Sequence, residues 1–199
     1  LLGHAGVTAA EIVLGMLLGS LLGGGSALAL GYSRRARRWL LPVLIASQAI
    51  PVFAIAPLLV LWLGYGLGSK IAMATLIIYF PVTANFYDGL RHIPRGWLDL
   101  ARVMLPEPRR WAVLRHIALP AALPALASGL RVAAAVAPIG AVLGEWVGAS
   151  AGLGYLMLHA NSRMQVDLMF AALVTLATLA VGLYFAVDAA LKRLLPWHP

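Results

Sequence analysis

Long apolar runs, separated by shorter basic segments, set the pattern of this chain. Positions 12–33, 39–69, 71–87 and 168–187 contain no charged residue, and positions 116–144 contain only Arg131. A helix that crosses a bilayer core of about 30 Å needs about 20 apolar residues, and each run is close to that length or longer. The pattern therefore predicts an all-α membrane protein with five spans, over residues 8–31, 42–63, 68–87, 119–143 and 167–189.

The second and third spans carry features that modify this simple picture. The second run is longer than one helix needs, and Pro42, Pro51 and Pro57 are expected to bend it, because proline lacks the backbone donor and clashes with the preceding turn. The third run is the shortest, so a span there requires Ser69 and Lys70 to sit at the membrane interface.

The composition agrees with lipid as the solvent. Hydrophobic residues make up 62% of the 199 positions and charged residues 11%, whereas about 25% of a soluble domain is charged. This excludes a disordered chain, a coiled coil and a nucleic-acid-binding domain, despite a net charge of +8. The lack of Cys excludes disulfide frameworks, Cys-based zinc sites and thiol nucleophiles. Because the sequence opens at Leu1 and not at Met, we expect a single domain over residues 1–199 that lacks an N-terminal segment.

The basic residues predict the orientation. Lys and Arg near span ends stay on the cytoplasmic side, and twelve of the fifteen lie in the first connection, the third connection and the C-terminal tail. The other three are Lys70, Arg131 and Arg163. The predicted topology therefore places the N-terminus of this chain outside the cell and its C-terminus in the cytoplasm.

Small residues recur every four positions in the first span. Gly15, Gly19, Gly23, Ala27 and Gly31 share one helix face, where small side chains let another helix approach closely. The partner is either another helix of this chain or a second subunit.

The third connection, residues 88–118, holds nine of the 22 charged residues. It is about thirty residues long, whereas connections between packed helices usually have a few. Apolar residues among its charges predict a short helix that lies across the membrane surface. This helix either presents an apolar knob to a cytoplasmic partner or rests on the lipid headgroups.

Several sequence blocks resemble the permease subunits of bacterial ABC importers. Residues 99–102 and Arg110-Trp111, followed by residues 114–124, are similar to the coupling loop of that family. Four more blocks agree in order and spacing: residues 51–66, Phe80-Pro81 with Asn85 and Gly89, residues 129–133, and Glu145-Trp146 with Gly152-Leu153-Gly154. The group most similar to this chain transports nitrate, sulfonates, taurine or pyrimidine precursors, and residues 144–150 look most like the pyrimidine-precursor branch.

The resemblance implies a type I importer fold and an ATP-driven mechanism in the bacterial inner membrane. The chain has no phosphate-binding loop with the Gly-x-x-x-x-Gly-Lys-Ser/Thr pattern, so the ATPase is expected to be a separate subunit. The resemblance implies that this chain is a permease, not an enzyme, and binds no cofactor itself. ATP and Mg²⁺ would bind a separate cytoplasmic ATPase dimer. The other implied partners are a second permease subunit, identical or paralogous, and a periplasmic binding protein that delivers the solute.

The resemblance also implies the residues that couple the permease to its ATPase. They are Asp99, Leu100, Ala101, Arg102, Glu107, Arg110 and Trp111. Two features depart from the family pattern: Asp99 and Leu100 stand where the family has Glu and Ala, and Pro106 and Pro108 replace a glycine turn. Proline also interrupts a helix, but at a different angle.

Six residues in or near the spans are candidates for the translocation path: Gln48, Phe53, Tyr79, Asn85, Arg131 and Glu145. Three of them, Gln48, Tyr79 and Asn85, either line the cavity or hydrogen-bond across helices. Phe53 either gates the pore or packs against its neighbours. Arg131 lies near the middle of a span, where a charge costs at least about 2.5–3.5 kcal/mol. It either lines the pore and attracts an anion or anchors a neighbouring helix by hydrogen bonds. Glu145 is expected near the outer mouth, where it contacts the binding protein or gates the pore. Glu11 is expected at the outer interface.

Two other classes of protein fit parts of the sequence. An ion-coupled secondary transporter or channel needs ionisable residues at the midplane, and here Arg131 lacks the acidic partner that a proton relay requires. An intramembrane serine hydrolase is suggested by Gly148-Ala149-Ser150-Ala151-Gly152 with His159 nearby, but this motif requires a strand–turn–helix context. No His pair has metal-ligand spacing, so we expect no metal.

Overall fold

The computed structural model describes residues 1–94, 96, 97, 99, 103 and 110–197, and within them the chain is helical and contains no β-strand. The helices are α1 (Leu2–Tyr32), α2 (Arg34–Ser47), α3 (Val52–Leu63), α4 (Leu67–Arg91), α5 (Arg110–Val113), a π-helical turn (Leu114–Ala118), α6 (Leu119–Gly148), α7 (Leu153–Ser162) and α8 (Val166–Leu194).

Four helices are long and apolar enough to cross a membrane. They are α1, α4, the continuous helix Trp111–Gly148, and α8. Four predicted spans are therefore confirmed, although each helix extends beyond its predicted bounds. The helix Trp111–Gly148 has 38 residues, which corresponds to about 57 Å at ~1.5 Å per residue. It is thus longer than a bilayer core is thick.

The second predicted span is not one helix. The helices α2 and α3 are together long and apolar enough to form one span, but they meet at an angle of 104°. The break falls at residues 48–51, because Pro51 has no N–H to donate and disfavours a helical conformation at Ile50. Pro42 and Pro57 instead lie inside α2 and α3.

The core is the contact of α1, α4 and α6, where alanine and glycine lie among a few larger aliphatic side chains. A Cβ atom added at Gly19 would lie 2.6 Å from the Cγ2 atom of Ile78, and one at Gly23 would lie 3.0 Å from the Cβ atom of Val82. The glycine stripe of α1 therefore packs against α4 of the same chain, which resolves the two interpretations of that stripe. Gly129 and Gly140 of α6 allow an equally close approach to α4.

The contacts fix the relative directions of these three helices. Successive glycines of α1 meet successive residues of α4, whereas later residues of α6 meet earlier residues of α4. The helices α1 and α4 are therefore parallel, and α6 is antiparallel to both. One end of the bundle, here the loop end, carries the C-termini of α1 and α4. The other, here the cap end, carries their N-termini, the C-terminus of α6 and the N-terminus of α7.

The start of α4 differs from the sequence prediction. Ser69 and Lys70 are 3% and 5% exposed, so neither lies on the surface of the bundle. Gly144 of α6 explains the burial of Lys70, since a Cβ atom there would be only 3.1 Å from the Lys70 Cα atom. The missing side chain lets α6 cover the first turn of α4.

Candidate functional site

Side chains from α1 and α6 satisfy the N-terminus of α7 at the cap end. The first N–H groups of a helix have no partner within it. Here the N–H of Gly152 donates to His4 Nδ1 (3.0 Å), and that of Leu153 donates to Thr8 Oγ1 (2.8 Å). Glu145 Oε2 accepts from the N–H groups of Gly154 and Tyr155. We call His4, Thr8 and Glu145 the polar cap.

Glycine is required where the chain enters α7. Gly152 has φ +121°, a region that side chains other than glycine rarely adopt. A Cβ atom at Gly152 would also overlap the Glu145 carboxylate, and one at Gly154 would lie 2.8 Å from Glu145 Oε2. The Gly152-Leu153-Gly154 sequence therefore lets the backbone wrap closely around this carboxylate.

Glu145 lies at the cap end, but its side chain is enclosed. It is 1% exposed, and its Oε1 atom accepts a 2.6 Å hydrogen bond from Thr8 Oγ1. In this conformation it organises the polar cap and presents no surface to a partner. Its predicted roles as a pore gate or as a contact of the binding protein therefore require a different conformation and stay predictions.

Glu11 is the main charged residue that the sequence interpretation misplaced. It is 0% exposed, not interfacial, and both of its carboxylate oxygens are buried without a hydrogen-bond donor. It lies within electrostatic range of Glu145 and Lys70. We call Glu11, Lys70 and Glu145 the buried charge cluster. Its three members come from three separate runs of sequence, so no local motif could have grouped them.

Arg131 has an acidic partner, which corrects the expectation that it lacks one. Its Nε atom donates to Asp188 Oδ1 over 2.7 Å, and Lys192 Nζ lies 2.8 Å from Asp188 Oδ2. The side chains of Arg131 and Asp188 are 30% and 16% exposed. The pair joins α6 to α8 and agrees with the anchoring interpretation of Arg131. One feature of the sequence could have pointed to this partner: Asp188 and Lys192 are spaced i, i+4 at the end of an apolar run.

The other predicted path residues are not gathered at one place. Gln48 and Phe53 lie on either side of the break between α2 and α3, and both are exposed. Tyr79 donates to Ser26 Oγ over 2.8 Å and so links α4 to α1. The Asn85 side-chain amide donates to the carbonyl of Pro81 within α4. Whether any of them lines a path for solute stays a prediction.

The third connection is only partly described. Leu100, Ala101, Arg102 and Glu107 lie outside the described residues, as does the side chain of Arg110. Gly96, Trp97, Asp99 and Val103 are helical and exposed. Trp111, in the helical extension that precedes α6, is 61% exposed. These described positions agree with a short surface helix that leaves apolar side chains uncovered.

The structural context that a serine hydrolase motif needs is missing around Ser150. The residue follows the C-terminus of α6 and precedes α7, so a helix stands where the motif requires a strand. The Nδ1 atom of His159 contacts the carbonyl of Tyr155 in its own helix. In the described part of the chain, no three His, Asp or Glu side chains are close enough to hold a metal ion.

A bundle of long apolar helices, with one continuous helix that runs from the loop end to the polar cap, is the architecture of a multi-span membrane protein. Residues 12–197 match the family described as the binding-protein-dependent transport system inner membrane component. The chain belongs to this family and is therefore a permease subunit of the ABC importer class.

Individual relatives agree with this family. The "Probable ABC transporter permease protein" of Haemophilus influenzae is 64% identical over 190 residues, which is 96% of this chain and 77% of that protein. The formylaminopyrimidine transport permease ThiX of Halalkalibacterium halodurans is 37% identical over 98% of this chain and 77% of its own length. The riboflavin transport permease RibX of Chloroflexus aurantiacus is 42% identical over 81% of this chain and 61% of its own length.

A solved structure shares the fold. An inward-facing conformation of the MetNI methionine ABC transporter superposes with a TM-score of 0.80, covering 97% of this chain and 95% of that chain at 22% identity. The predicted type I importer fold is therefore confirmed. Membership of the family also overturns the alternatives of an ion-coupled secondary transporter and an intramembrane hydrolase.

Proposed function

We propose that this chain forms, with a second permease subunit, the pore of an ATP-driven importer for a small nitrogen heterocycle of the pyrimidine-precursor class. A periplasmic binding protein delivers the solute, and a cytoplasmic ATPase dimer that holds ATP and Mg²⁺ drives the cycle. The observation that carries this proposal is the match of nearly the whole chain to permeases of the binding-protein-dependent family.

The continuous helix Trp111–Gly148 supports a mechanical link between the two ends of the molecule. One of its ends adjoins residues 88–110, and the other carries Glu145 in the polar cap. A helix moves as a rigid element, so a displacement at the loop end is transmitted to the contacts of α1 and α7 at the cap end. Rigid-body movement between two states is the usual basis of alternating access.

The π-helical turn Leu114–Ala118 lies where this helix leaves the third connection. Such turns are rare and are found mainly at functional sites. Under the proposal, this turn is the joint at which movement of the docked loop enters the spanning part of α6.

The pairing of Arg131 favours a heterocycle over an anion. Unpaired positive charge along the path would favour an anion such as nitrate or a sulfonate. In the described spans, Arg131 is bound to Asp188, and Lys70 lies near two carboxylates. The relatives named for formylaminopyrimidine and for riboflavin also handle nitrogen heterocycles. Because the binding protein contributes to specificity, the pore itself needs only to be compatible with this class.

Exposed apolar side chains support pairing with a second permease. Trp62 of α3 and Val132 and Ile139 of α6 are 74%, 47% and 54% exposed. Lipid covers such side chains on a membrane-facing surface, and the corresponding surface of another subunit covers them at an interface. Whether that subunit is identical or paralogous does not alter the proposal.

Uptake measurements test the proposed substrate. The complete transporter, expressed with its binding protein and ATPase, is expected to import radiolabelled formylaminopyrimidine in an ATP-dependent manner. Taurine, an alkanesulfonate and nitrate serve as competitors that should leave uptake unchanged, and riboflavin tests a larger heterocycle. ATP-dependent uptake of taurine or the alkanesulfonate with no uptake of the pyrimidine would refute the substrate assignment but not the importer class.

A further inference from the structure

The hydrogen bonds to Glu145 all use its carboxylate as an acceptor. A hydroxyl and two backbone N–H groups donate to its carboxylate, from Thr8, Gly154 and Tyr155. The Thr8 hydroxyl accepts from Leu153 N and has one proton to donate, which its 2.6 Å contact directs to Glu145. A carboxylate has about four acceptor positions, so these three hydrogen bonds leave Glu145 with one position to accept another.

Glu11 lies next to this carboxylate and has no donor of its own. Its side chain is fully buried and neither of its oxygens has a hydrogen-bond donor. Glu11 lies one helical turn after Thr8, whose hydroxyl contacts Glu145, and one turn before Gly15, which packs on Ala74 of α4. Two ionised carboxylates held close together repel each other strongly in a buried site. A proton on Glu11 removes that repulsion and supplies the hydrogen bond that the remaining acceptor position of Glu145 can take.

The other charged and titratable groups around the cluster do not remove the need for this proton. Lys70 of α4, whose backbone Gly144 of α6 covers, brings one positive charge to the cluster, enough to balance only one of the two carboxylates. His4 of α1 accepts the Gly152 N–H at Nδ1, so that nitrogen carries no proton, and Tyr155 of α7 stacks on its ring. With Glu11 ionised, the cluster would hold an uncompensated negative charge, which is costly in a buried site.

We propose that Glu11 and Glu145 form a proton-binding site at the cap end, in which Glu11 holds one proton and donates it to the Glu145 carboxylate. The site joins α1 to α6 directly beneath the N-terminus of α7. Opening of the bundle at this end would admit water to Glu11 and allow it to release the proton. The proposal concerns the chain's own residues and holds whichever solute the importer carries.

Infrared spectroscopy of the complete transporter in lipid nanodiscs tests this directly. At neutral pH the wild type is expected to show the C=O stretch of a protonated carboxylic acid, shifted in D₂O. The Glu11→Gln variant keeps the shape of the side chain and a neutral donor. Its band should be weaker than that of the wild type by one carboxyl per permease chain, and its thermal stability should be unchanged. The matched control Asp167→Asn removes an exposed carboxylate and should leave the band intact.

Two results would overturn the proposal. One is a protonated-carboxyl signal that is equal in the wild type and Glu11→Gln, since Glu11 would then be ionised. The other is a missing band together with thermal stabilisation by Na⁺ but not by K⁺, which would indicate a bound metal cation in place of the proton. Should Glu11→Gln fail to assemble, labelling the wild-type permease with ¹³C-glutamate before assembly serves instead, and a band that does not shift refutes the assignment.

Discussion

The Arg131 guanidinium and the Asp188 carboxylate lie 2.7 Å apart although 57 positions separate them in the chain. This contact connects α6, which runs the length of the bundle, to α8. Because each charge is partly shielded from water, it depends on the other for compensation.

Removing either member of this pair should loosen the attachment of α8. We expect Arg131→Met and Asp188→Asn each to lower the thermal stability of the purified transporter, and the exchanged pair Arg131→Asp with Asp188→Arg to restore part of the loss. Lys192→Met is the control, because Lys192 is 65% exposed and should matter less. If the exchanged double variant loses as much thermal stability as the single variants, the interaction between the two side chains contributes nothing to stability.

The turn into α7 should not tolerate a side chain at position 152. Gly152→Ala forces a residue with a Cβ atom into the φ +121° conformation and against the Glu145 carboxylate. Strain of this kind costs on the order of 1–3 kcal/mol, and loss of the polar cap would add to it. Thermal unfolding of the purified transporter measures the effect.

Gly182→Ala is the matched control for Gly152→Ala. Gly182 lies within α8 and has open space around an added Cβ atom, so alanine there should be neutral or stabilising by up to about 1 kcal/mol. A Gly152→Ala protein as stable as the Gly182→Ala protein would contradict the described geometry of the turn.

The packing of α1 on α4 should be sensitive at one glycine and insensitive at a near neighbour. Gly19→Ala would place its Cβ atom 2.6 Å from Ile78 Cγ2, whereas Gly24 of the same helix has nothing within 4 Å. Overpacking typically costs about 1–3 kcal/mol, so Gly19→Ala should lower the melting temperature and Gly24→Ala should not. The opposite order would indicate that α1 presents a different face to α4.

A charge reversal in the third connection should separate transport from assembly. Asp99 is helical and exposed, so Asp99→Arg should leave membrane insertion intact. Because it places a positive charge on the surface proposed to dock with the ATPase, we expect it to abolish transport and the stimulation of ATP hydrolysis by the binding protein. Asp167→Arg, at the other end of the bundle, is the control. Normal transport by Asp99→Arg would remove this surface from the coupling mechanism.

The fold was largely predictable because lipid imposes a strict length and polarity on a span. Four of five apolar runs are single helices, and the α1 glycine stripe was correctly identified as a packing face. The break near Pro51 was foreseen as a bend, but not its angle of 104°, because the angle depends on how α2 and α3 pack against α1 and α4.

The cap end was less predictable, for a physical reason. Glu11 and Lys70 begin apolar runs, and single charges at such positions usually face the membrane interface. Their burial depends on Gly144 and on the turn at Gly152, which bring three distant segments together. Asp188 was missed for the same reason, since its partner Arg131 lies on another helix.

The most direct test of the importer account concerns the side and partner of the third connection. The chain has no Cys, so a single Cys can be introduced at Val103 or at Met164, which are 85% and 82% exposed. The account predicts that Val103→Cys cross-links to the ATPase subunit and reacts with an impermeant maleimide only from the cytoplasmic side, whereas Met164→Cys reacts only from outside. Labelling of Val103→Cys from outside, with no cross-link to a nucleotide-hydrolysing subunit, would contradict it.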